Sequence, residues 1–481
     1  MTTPDNAHRA EFSVRCACGI EYHTSDAHAG RTIPCKCGRN VQLIRPVELA
    51  SAEDDTPSRR RKRKVRRSGN AAYNHSYHAS TGETERAANL NWQRRRWSVR
   101  SVANAFVRPF TRGSLLVRVT AGAAWLYLIG MFVAWMLLIT TSEHAIPGTI
   151  IAYGPRWLSL WPLAILAPAT LILARSALVP LALAAFIGIV PIMGARITFA
   201  TISSRKLPPA PVPGTFRVVT FNAQGGRPLA SRLSEFLDRY KPDVALFQEC
   251  GDALWTSIQA QAGWQSARHG TLCSASHWTM GDVETMPRDE FAKAAEQGFG
   301  GTGLVMRVRF GSPNGPLSVV NLHLETARRG LEGMLGQQGI IPDDPFGISG
   351  DAKLEPTLDA SENRNRFMKN AAIREKESLA ASRWAVESNA GAPLLIAGDF
   401  NLPVESTIFR KYWSNFTDAF EERGNGLGWT KTEGRWLRIR IDHLLTTDGG
   451  PKPVRIMVGA NYLSDHLPVI ADYAWPTIQG R

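Results

Sequence analysis

The sequence predicts an α/β protein in which a C-terminal domain of two packed β-sheets follows a membrane-spanning helical region. Two observations lead to this prediction. Three long apolar segments lie between residues 113 and 203, and six β-rich runs within residues 214–476 each carry an acid, an amide or an imidazole near one end. Strands stacked in two sheets would gather these polar ends along one edge and form a cleft there.

The apolar segments are long enough to be transmembrane helices. The first, VTAGAAWLYLIGMFVAWMLLIT at 119–140, is uncharged and can cross a bilayer core of about 30 Å as a helix. The next two, at 157–174 and 176–195, are separated only by Arg175 and predict a tight helical hairpin. A pair of buried core helices is the alternative. We expect three spans within residues 113–203.

The distribution of basic residues predicts the orientation of these spans. RRRKRKVRR at 59–67 and RRRW at 94–97 place positive charge on the N-terminal side. Arg196, Arg205 and Lys206, after the last span, act weakly in the opposite sense. Because positively charged loops tend to stay in the cytoplasm, the N-terminus is expected to be cytoplasmic. Three spans then place the C-terminal domain outside the cytoplasm, in a multi-pass protein of the inner or plasma membrane.

The charge of the chain is unevenly divided. Its net charge is +14, and residues 1–113 hold 21 Lys and Arg against 10 Asp and Glu, a net +11. Residues 214–476 hold 28 basic and 31 acidic residues, a net −3. A strong nonspecific nucleic-acid binder needs its basic surface on the binding domain. The totals therefore give no support to that class for the C-terminal domain.

The N-terminal segment, residues 1–50, carries four of the six cysteines as two close pairs that are each followed by Gly: Cys16, Cys18, Cys35 and Cys37. Two thiolate pairs on two turns can give tetrahedral coordination of Zn²⁺. The segment resembles small bacterial zinc ribbons, although these carry C-x-x-C where this chain carries C-x-C. Two disulfides are the alternative, which a cytoplasmic location disfavours. A zinc ribbon there would serve a cytoplasmic partner.

Two linkers are predicted. Residues 51–112 are rich in Ser, Asn, Arg and Ala without apolar periodicity, which predicts a disordered basic linker. Its charge can bind anionic membrane lipids or cytoplasmic nucleic acid, or act only as a topology signal and tether. LPPAPVPG at 207–214 predicts a second, Pro-rich linker at 204–213.

The C-terminal domain, residues 214–476, repeats one pattern: a β-rich run that carries a polar side chain at one end. The runs are FRVVTFNAQ (216–224) with Asn222, PDVALFQE (242–249) with Glu249, LSVVNLHLE (317–325) with His323, PLLIAGDFN (393–401) with Asp399 and Asn401, RIRIDHLLT (438–446) with Asp442 in its middle, and SDHLPVIADYAW (464–475) with Asp465 and His466. Each polar end alone is more typical of a turn or a capped terminus. Six in order are hard to attribute to chance.

This set of residues resembles the endonuclease/exonuclease/phosphatase family, over essentially all of residues 214–476. In combination with preceding membrane spans, it resembles the bacterial membrane-anchored branch of that family. The resemblance implies a four-layer α/β sandwich, in which two β-sheets pack face to face with helices outside. It also implies Mg²⁺- or Mn²⁺-dependent cleavage of a phosphoester.

The residue types suit that chemistry. A hard divalent cation neutralises the charge that gathers on a phosphoryl group, and carboxylate and amide oxygens are the ligands it prefers. Glu249 is the leading metal ligand, with Asp465 and Asn222 nearby; the family resemblance supports Glu249 and Asp465 in this role.

The remaining residues are expected to act on water and phosphate. Asp399 would orient or deprotonate the attacking water, and Asn401 would hydrogen-bond the same site and a phosphoryl oxygen. His466 would donate to the scissile phosphate, oriented by Asp442. His323 would be a second phosphate contact or the acid for the leaving group. No Ser or Cys nucleophile is needed, because water attacks directly.

Several functions stay open from the sequence. The substrate class can be nucleic acid, a lipid headgroup as in sphingomyelinase-like relatives, or a soluble phosphoester such as an inositol phosphate. A catalytically inert membrane adaptor with the same fold is the alternative from another functional class. Cys250 and Cys273 can form a disulfide outside the cytoplasm or remain buried thiols.

Overall fold

The structure, a computed structural model, describes residues 11–15, 21–25, 32–34, 40–42, 107–198, 211–335, 360–387, 389, 391–433 and 436–476. The chain divides into two compact units, Met1–Gln93 and Arg94–Arg481. The first unit contains two antiparallel strand pairs, β1 (Glu11–Arg15) with β2 (Glu21–Ser25) and β3 (Thr32–Pro34) with β4 (Asn40–Gln42). The predicted zinc ligands Cys16, Cys18, Cys35 and Cys37 lie outside the described residues, as do residues 51–106 of the predicted basic linker.

Between a helical stretch at 107–112 and the C-terminal domain, the described residues form the α-helices α1 (Leu115–Thr141), α2 (Ile146–Tyr153), α3 (Pro162–Leu173) and α4 (Leu178–Ile187). Three helical stretches are long and apolar enough to cross a membrane, namely Leu115–Thr141, Arg156–Leu173 and Arg175–Ile192. Many of their large apolar side chains are exposed, with Leu126, Ile165 and Ile172 at 71%, 75% and 78%. The three apolar helices are therefore present, with outer surfaces suited to lipid.

The second and third apolar helices form the predicted hairpin. Its turn includes Ala174 and Ala177, which pack against Ala121 and Ala124 near the start of α1. Small side chains at these positions allow the helices to approach closely. The hairpin turn thus lies beside the N-terminal end of α1.

The C-terminal domain contains two six-stranded mixed sheets. The strands of the first sheet, in spatial order, are β17 (Lys452–Val458), β18 (Val469–Ala474), β5 (Thr215–Asn222), β6 (Val244–Gln248), β8 (Leu272–Ser276) and β7 (Gln265–His269). Those of the second are β13 (Thr417–Asp418), β16 (Asp442–Thr446), β12 (Leu394–Asp399), β11 (Gly315–His323), β10 (Leu304–Ser312) and β9 (Thr279–Thr285). A separate hairpin is formed by β14 (Lys431–Glu433) and β15 (Leu437–Ile439).

Helices cover the outer face of each sheet. The α-helices among the described residues of the domain are α5 (Arg227–Ala230), α6 (Leu233–Tyr240), α7 (Asp252–Gln259), α8 (Ala292–Glu296), α9 (Arg328–Leu335), α10 (Ala360–Glu387), α11 (Thr407–Tyr412) and α12 (Ala419–Arg423). Apolar side chains of α6 and α7 pack on the first sheet, and those of α10 and α11 pack on the second. A third apolar core fills the space between the sheets. The predicted four-layer sandwich is confirmed.

The alternation of side chains along each strand decides which residues face the other sheet. In β12, Leu395 and Ala397 belong to the core between the sheets, whereas Leu394 and Ile396 face the helices. Because successive side chains point to opposite faces, Asp399 continues the inner row. Asn222 extends the inner row of β5 in the same way, beyond Val218.

Two details of the domain complete the fold. Cys250 and Cys273 form a disulfide, which settles the two possibilities left by the sequence. The run predicted as one strand at 438–446 is broken, so the prediction that Asp442 lies mid-strand is wrong. The break has a local cause: the backbone N–H groups of Ile441 and Asp442 both donate to Thr430 Oγ1 at 3.1 Å, and Asp442 instead opens β16.

Candidate active site

The strand directions bring the predicted polar residues to one edge of the sandwich. β5 and β6 are parallel, as are β11 and β12, so their carboxyl ends point the same way within each sheet. β16 runs antiparallel to β12, and β18 runs antiparallel to β5, so these strands begin where the others end. The site residues at these ends are Asn222, Glu249, His323, Asp399, Asn401, Asp442, Asp465 and His466. Most are joined by the contacts described below.

Asp399 lies at the centre of the site. Its side chain is 1% exposed, and its Oδ1 accepts a hydrogen bond from the backbone N–H of Asn401 at 2.8 Å. Its Oδ2 accepts from Asn222 Nδ2 at 3.0 Å, and it lies 3.6 Å from Nε2 of both His466 and His323. Burial raises the pKa of Asp399, and the charge of Asp442 adds to this, although the neighbouring histidines act against it.

The glycine of GDFN is required by this geometry. Gly398 has φ of +146°, and a Cβ there would lie 1.9 Å from the carbonyl oxygen of Leu322 on the adjacent strand. No side chain other than hydrogen fits at that distance. Gly398 thus lets β12 approach β11 closely, directly before Asp399.

His466 and Asp442 form a buried pair. His466 Nδ1 lies 2.9 Å from Asp442 Oδ2 and 3.1 Å from Oδ1, which fixes the imidazole with Nε2 towards Asp399. Burial disfavours a charged imidazole, but Asp442 and Asp399 outweigh it and raise the pKa of His466 to about 9. At neutral pH this arrangement favours an imidazolium that can donate to an anionic group.

Glu249 forms part of the more exposed rim of the site. By strand alternation its side chain would point to the outer face of the first sheet, but its φ of +48° breaks the alternation. Its Oε1 instead lies 2.9 Å from Asn222 Nδ2 and 4.0 Å from His323 Nε2. The Glu249 side chain is 41% exposed and that of His323 is 23% exposed, so both are open to solvent.

Asp465 is paired with a lysine that the sequence analysis did not single out. Lys431 Nζ, at the start of β14, lies 2.5 Å from Asp465 Oδ2 and 3.3 Å from His466 Nε2. Burial alone would raise the pKa of Asp465, but Lys431 and His466 lower it overall. Lys431 is thus a further cation of the site. It lies within a segment of mixed polarity that shows no strand-end pattern, so only its proximity in sequence to Asp442 pointed to it.

Asn401 is bonded to the backbone of the adjacent loop. Its Nδ2 donates to the carbonyl oxygen of Leu324 at 2.8 Å, and its φ is +51°. One Nδ2 hydrogen is thereby used, so a phosphoryl contact would depend on the other. Asn401 ties the loop after β11 to the loop after β12.

Asn321, two residues before His323 on β11, has a structural role. Its Nδ2 donates to the carbonyl oxygen of Cys273 at 3.0 Å, and its Oδ1 accepts from Gln248 Nε2 at 2.7 Å. It therefore joins the two sheets behind the site, as expected for a residue that satisfies buried polar groups.

The site can be compared with the needs of a divalent cation. Asn222, Glu249 and Asp465 are oxygen donors of the kind that a hard cation prefers, and the exposure of Glu249 gives a hydrated ion access. A second group brings three ligand atoms within 4.8 Å of one another, on Asp399, Asp442 and His466. In that group Asp442 is bonded to His466 Nδ1, which leaves two ligands rather than three. In the first set Asp465 is bonded to Lys431 in the same way, so what separates the two sets is the exposure of Glu249 against the burial of Asp399, Asp442 and His466.

The sandwich thus gathers acids, amides and imidazoles along one edge. A family model described as Endonuclease/Exonuclease/phosphatase family matches residues 219–466. The chain belongs to this family, whose members hydrolyse phosphoesters. No curated protein matches the chain.

Solved structures similar to this chain include three of different kinds. A humanized TDP2 of D. rerio is 13% identical and matches 54% of this chain and 99% of its own, with a TM-score of 0.38. The 3' phosphatase NExo from Neisseria, bound to a product DNA hairpin, is 16% identical over 54% of this chain and 100% of its own, with a TM-score of 0.36. Sphingomyelinase C from Streptomyces griseocarneus is 14% identical over 54% and 99%, with a TM-score of 0.34.

Proposed function

We propose that the chain is a membrane-anchored, divalent-metal-dependent phosphoesterase that hydrolyses its substrate by direct attack of water. The observation that carries this proposal is the row formed by Asp442, His466 and Asp399, which ends beside the Asn222–Glu249 pair. It offers an oriented imidazolium and a buried carboxylate next to the exposed carboxylate of Glu249. These are the groups that in-line attack on a phosphoester requires.

Glu249, Asp465 and Asn222 would hold Mg²⁺ or Mn²⁺. The cation, when bound, neutralises charge on the phosphoryl oxygens. Asn222 also donates to both Glu249 and Asp399, at 2.9 and 3.0 Å, so it aligns the metal-binding carboxylate with the catalytic one.

Asp399 and His466 divide the proton chemistry between them. A buried carboxylate with a raised pKa is a stronger base than an exposed one, which suits Asp399 to orient and deprotonate the attacking water. His466, with its raised pKa and its Nδ1 held by Asp442, donates from Nε2 to a phosphoryl oxygen. Lys431 adds positive charge 3.3 Å from the same Nε2.

His323 and Asn401 complete the proposed site. His323 is partly exposed and lies 3.6 Å from Asp399 Oδ2, so it is placed to contact the phosphate or to give a proton to the leaving group. Asn401 holds the loop after Asp399 and offers its remaining Nδ2 hydrogen to a phosphoryl oxygen.

The helices support the proposed anchoring. The C-terminal domain contacts one end of the helical bundle: Arg410 Nη1 donates to the carbonyl oxygen of Ile139 at 3.0 Å, and Arg156 pairs with Glu405 at 2.8 Å. The hairpin turn lies at the other end, beside the start of α1. A bundle of three spans would therefore place the start of α1 and the C-terminal domain at opposite ends.

The side of the membrane is also part of the proposal. Arg118 and Arg175 lie at the hairpin-turn end and Arg108 and Arg112 precede α1, against Arg156 and Arg196 at the other end, so the balance favours the hairpin-turn end as cytoplasmic. The Cys250–Cys273 disulfide suits an oxidising compartment for the catalytic domain. A reporter fused at the C-terminus should be active only outside the cytoplasm; a cytoplasmic signal would contradict the orientation.

A lipid headgroup is the substrate class that one observation favours. The β14–β15 hairpin carries Lys431 at the site and Trp436 at the membrane end, where Trp436 stacks on Trp157 at 5.4 Å. Trp157 Nε1 also donates to the carbonyl oxygen of Trp436 at 2.8 Å. Trp side chains concentrate at the membrane–water interface. The hairpin therefore connects the catalytic edge to the level of the headgroups.

A substrate panel tests the proposed function. The full chain in detergent or nanodiscs is assayed on bis-p-nitrophenyl phosphate, phospholipid and sphingomyelin vesicles, plasmid DNA, RNA and inositol phosphates, with Mg²⁺, Mn²⁺ or EDTA. We expect hydrolysis that needs the metal, with lipid preferred over nucleic acid. Absence of any metal-dependent hydrolysis and of Mg²⁺ binding would favour the inert adaptor. Preference for DNA or a soluble phosphate would overturn the lipid assignment alone.

For the N-terminal segment, we propose one Zn²⁺ held by Cys16, Cys18, Cys35 and Cys37, in a module that contacts a cytoplasmic partner. Domain bounds of 1–50, 51–112, 113–203, 204–213 and 214–476 go with this proposal. The support is the sequence pattern of two thiolate pairs. Metal analysis of the full chain should find one zinc that is lost in Cys16→Ser/Cys35→Ser; no zinc in either form would exclude it.

A further inference from the structure

A buried chain of hydrogen bonds runs from the membrane region to the active site. It begins in residues 142–155, the segment between the first two apolar helices. There Tyr153 Oη donates to Glu143 Oε1 at 3.0 Å. Arg374, on α10 of the catalytic domain, donates from Nη2 to Tyr153 Oη, and its guanidinium lies over the Tyr153 ring at 5.1 Å. Glu143 and Arg374 are 1% and 3% exposed, so water does not replace these bonds.

Arg374 in turn holds both catalytic loops. Its Nη2 donates to the carbonyl oxygen of Asn401 at 3.1 Å, and its Nε donates to that of Glu325 at 3.3 Å. These carbonyls follow Asp399 and His323 by two residues each. One guanidinium therefore fixes the backbone next to two proposed catalytic side chains.

Glu143 is itself anchored to the catalytic domain. Its Oε2 accepts from the backbone N–H of Thr407 at 3.0 Å and from the Thr407 hydroxyl, at the start of α11. Ser142 Oγ donates to the same oxygen at 2.6 Å. The acid thus belongs to both regions, and its position is fixed from two sides.

A buried guanidinium is costly unless its donors and its charge are matched. Burial disfavours the charge on Arg374, while Tyr153 and Glu143 favour it, so that its pKa is raised overall. Without the Tyr153 hydroxyl, both Arg374 and Glu143 lose a partner in a site that excludes water. We then expect Arg374 to shift away from the carbonyl oxygens of Asn401 and Glu325.

We propose that Tyr153 and Glu143 are positioning residues of the active site, which act through Arg374 to set the loops that carry His323 and Asp399. This inference rests on the proposed function. Neither residue touches the reacting groups. The consequence is that the membrane segment completes the active site, since a displacement of about 1 Å at a catalytic group can lower the rate by up to about a hundredfold.

The test uses the full chain in nanodiscs and the variant Tyr153→Phe. Tyr127→Phe is the matched control, because Tyr127 Oη donates to the carbonyl oxygen of Ser159 at 2.8 Å, within the helical bundle. With bis-p-nitrophenyl phosphate and Mn²⁺, we expect Tyr153→Phe to lower kcat about tenfold with KM little changed. Tyr127→Phe should leave both constants as in wild type.

Two further readouts separate positioning from stability. Hydrogen exchange of residues 323–327 and 399–402 should be at least about threefold faster in Tyr153→Phe and unchanged in Tyr127→Phe. Combining Tyr153→Phe with Arg374→Lys should give a loss of kcat smaller than the product of the single losses, because the residues act in series.

The outcomes distinguish this inference from the proposed function. Wild-type kcat and wild-type exchange in a folded Tyr153→Phe variant would overturn the inference, as would multiplicative losses in the double variant. Loss of the folded state in Tyr153→Phe would also overturn it, by assigning Tyr153 to stability. If wild type hydrolyses no phosphoester, the proposed function fails, and the exchange measurement still decides whether the membrane segment holds the loops.

Discussion

Two Asp–His pairs lie on opposite faces of β16 (Asp442–Thr446), and only one of them opens to the cleft. Asp442 faces the other sheet and pairs with His466, whose Nε2 lies 3.6 Å from Asp399. The next residue, His443, faces the helices, with Nδ1 2.8 Å from Asp418 and Nε2 2.9 Å from the carbonyl oxygen of Leu402. The first pair leaves one imidazole nitrogen directed at the site, while the second uses both nitrogens within the fold.

An Asp–His contact alone therefore does not indicate catalysis. The two pairs differ in the partner of the imidazole Nε2 and in the face of β16 on which each pair lies. His443 also packs among aromatic rings, with Phe409 at 4.8 Å between ring centroids. We therefore propose a catalytic role for His466 and a structural role for His443.

The largest expected effect is at the catalytic histidine. His466→Ala should lower kcat on bis-p-nitrophenyl phosphate by on the order of a thousandfold, because it removes a donor to the transition state. Because the variant also leaves the buried Asp442 carboxylate without its partner, the rates are compared at a temperature at which circular dichroism shows the variant to be folded. Activity within about tenfold of wild type would break the distinction between the two pairs.

A smaller loss is expected when the orienting acid is changed. Asp442→Asn keeps the shape but cannot hold Nδ1–H of His466 in the same way, and we expect roughly a hundredfold loss of kcat. Steady-state kinetics with Mn²⁺ measures it. An equal loss in the matched variant Asp418→Asn would show that disruption of the sheet, not orientation of His466, is the cause.

The Asp418–His443 pair should instead affect the free energy of unfolding. Burial would raise the pKa of Asp418, but His443 and Arg440 outweigh it and lower it from 3.8 to about 2. A carboxyl with a lowered pKa stabilises the fold above its unfolded pKa, and this contribution is lost as the pH falls from about 4 towards 2. Asp418→Asn should remove about 2 kcal/mol of stability at neutral pH.

Chemical denaturation from pH 7 down to pH 2 measures that change. The variant should lose less stability than wild type across the acid range, while kcat stays within about twofold at 25 °C. If the free energy of unfolding of the variant falls with acid as steeply as that of wild type, Asp418 does not stabilise the fold through its charge.

The sequence was most informative where local pattern and strand alternation agree. The inner rows of β5, β11 and β12 end on Asn222, His323 and Asp399, and the parity of each run already placed these side chains on one face. The position of Glu249 directly after a buried run was enough to predict it as a site residue. Its approach to Asn222 could not be foreseen, because it depends on a positive φ.

Contacts between distant segments were not predictable from the pattern. Lys431 reaches Asp465 because a hairpin crosses the domain edge, and Tyr153 meets Arg374 across 221 residues. Neither residue has a periodic or strand-end signal. Such contacts follow from the packing of whole elements, which a reading of single segments does not supply.

The most direct test of Asp399 as the catalytic carboxylate is the isosteric variant Asp399→Asn in the full chain, assayed on bis-p-nitrophenyl phosphate with saturating Mn²⁺. The substitution keeps the volume of the side chain and removes its charge and basicity, so a loss of kcat of about a thousandfold with an unchanged melting temperature is expected. Hydrolysis at close to the wild-type rate would contradict the assignment of this edge of the sandwich as the active site.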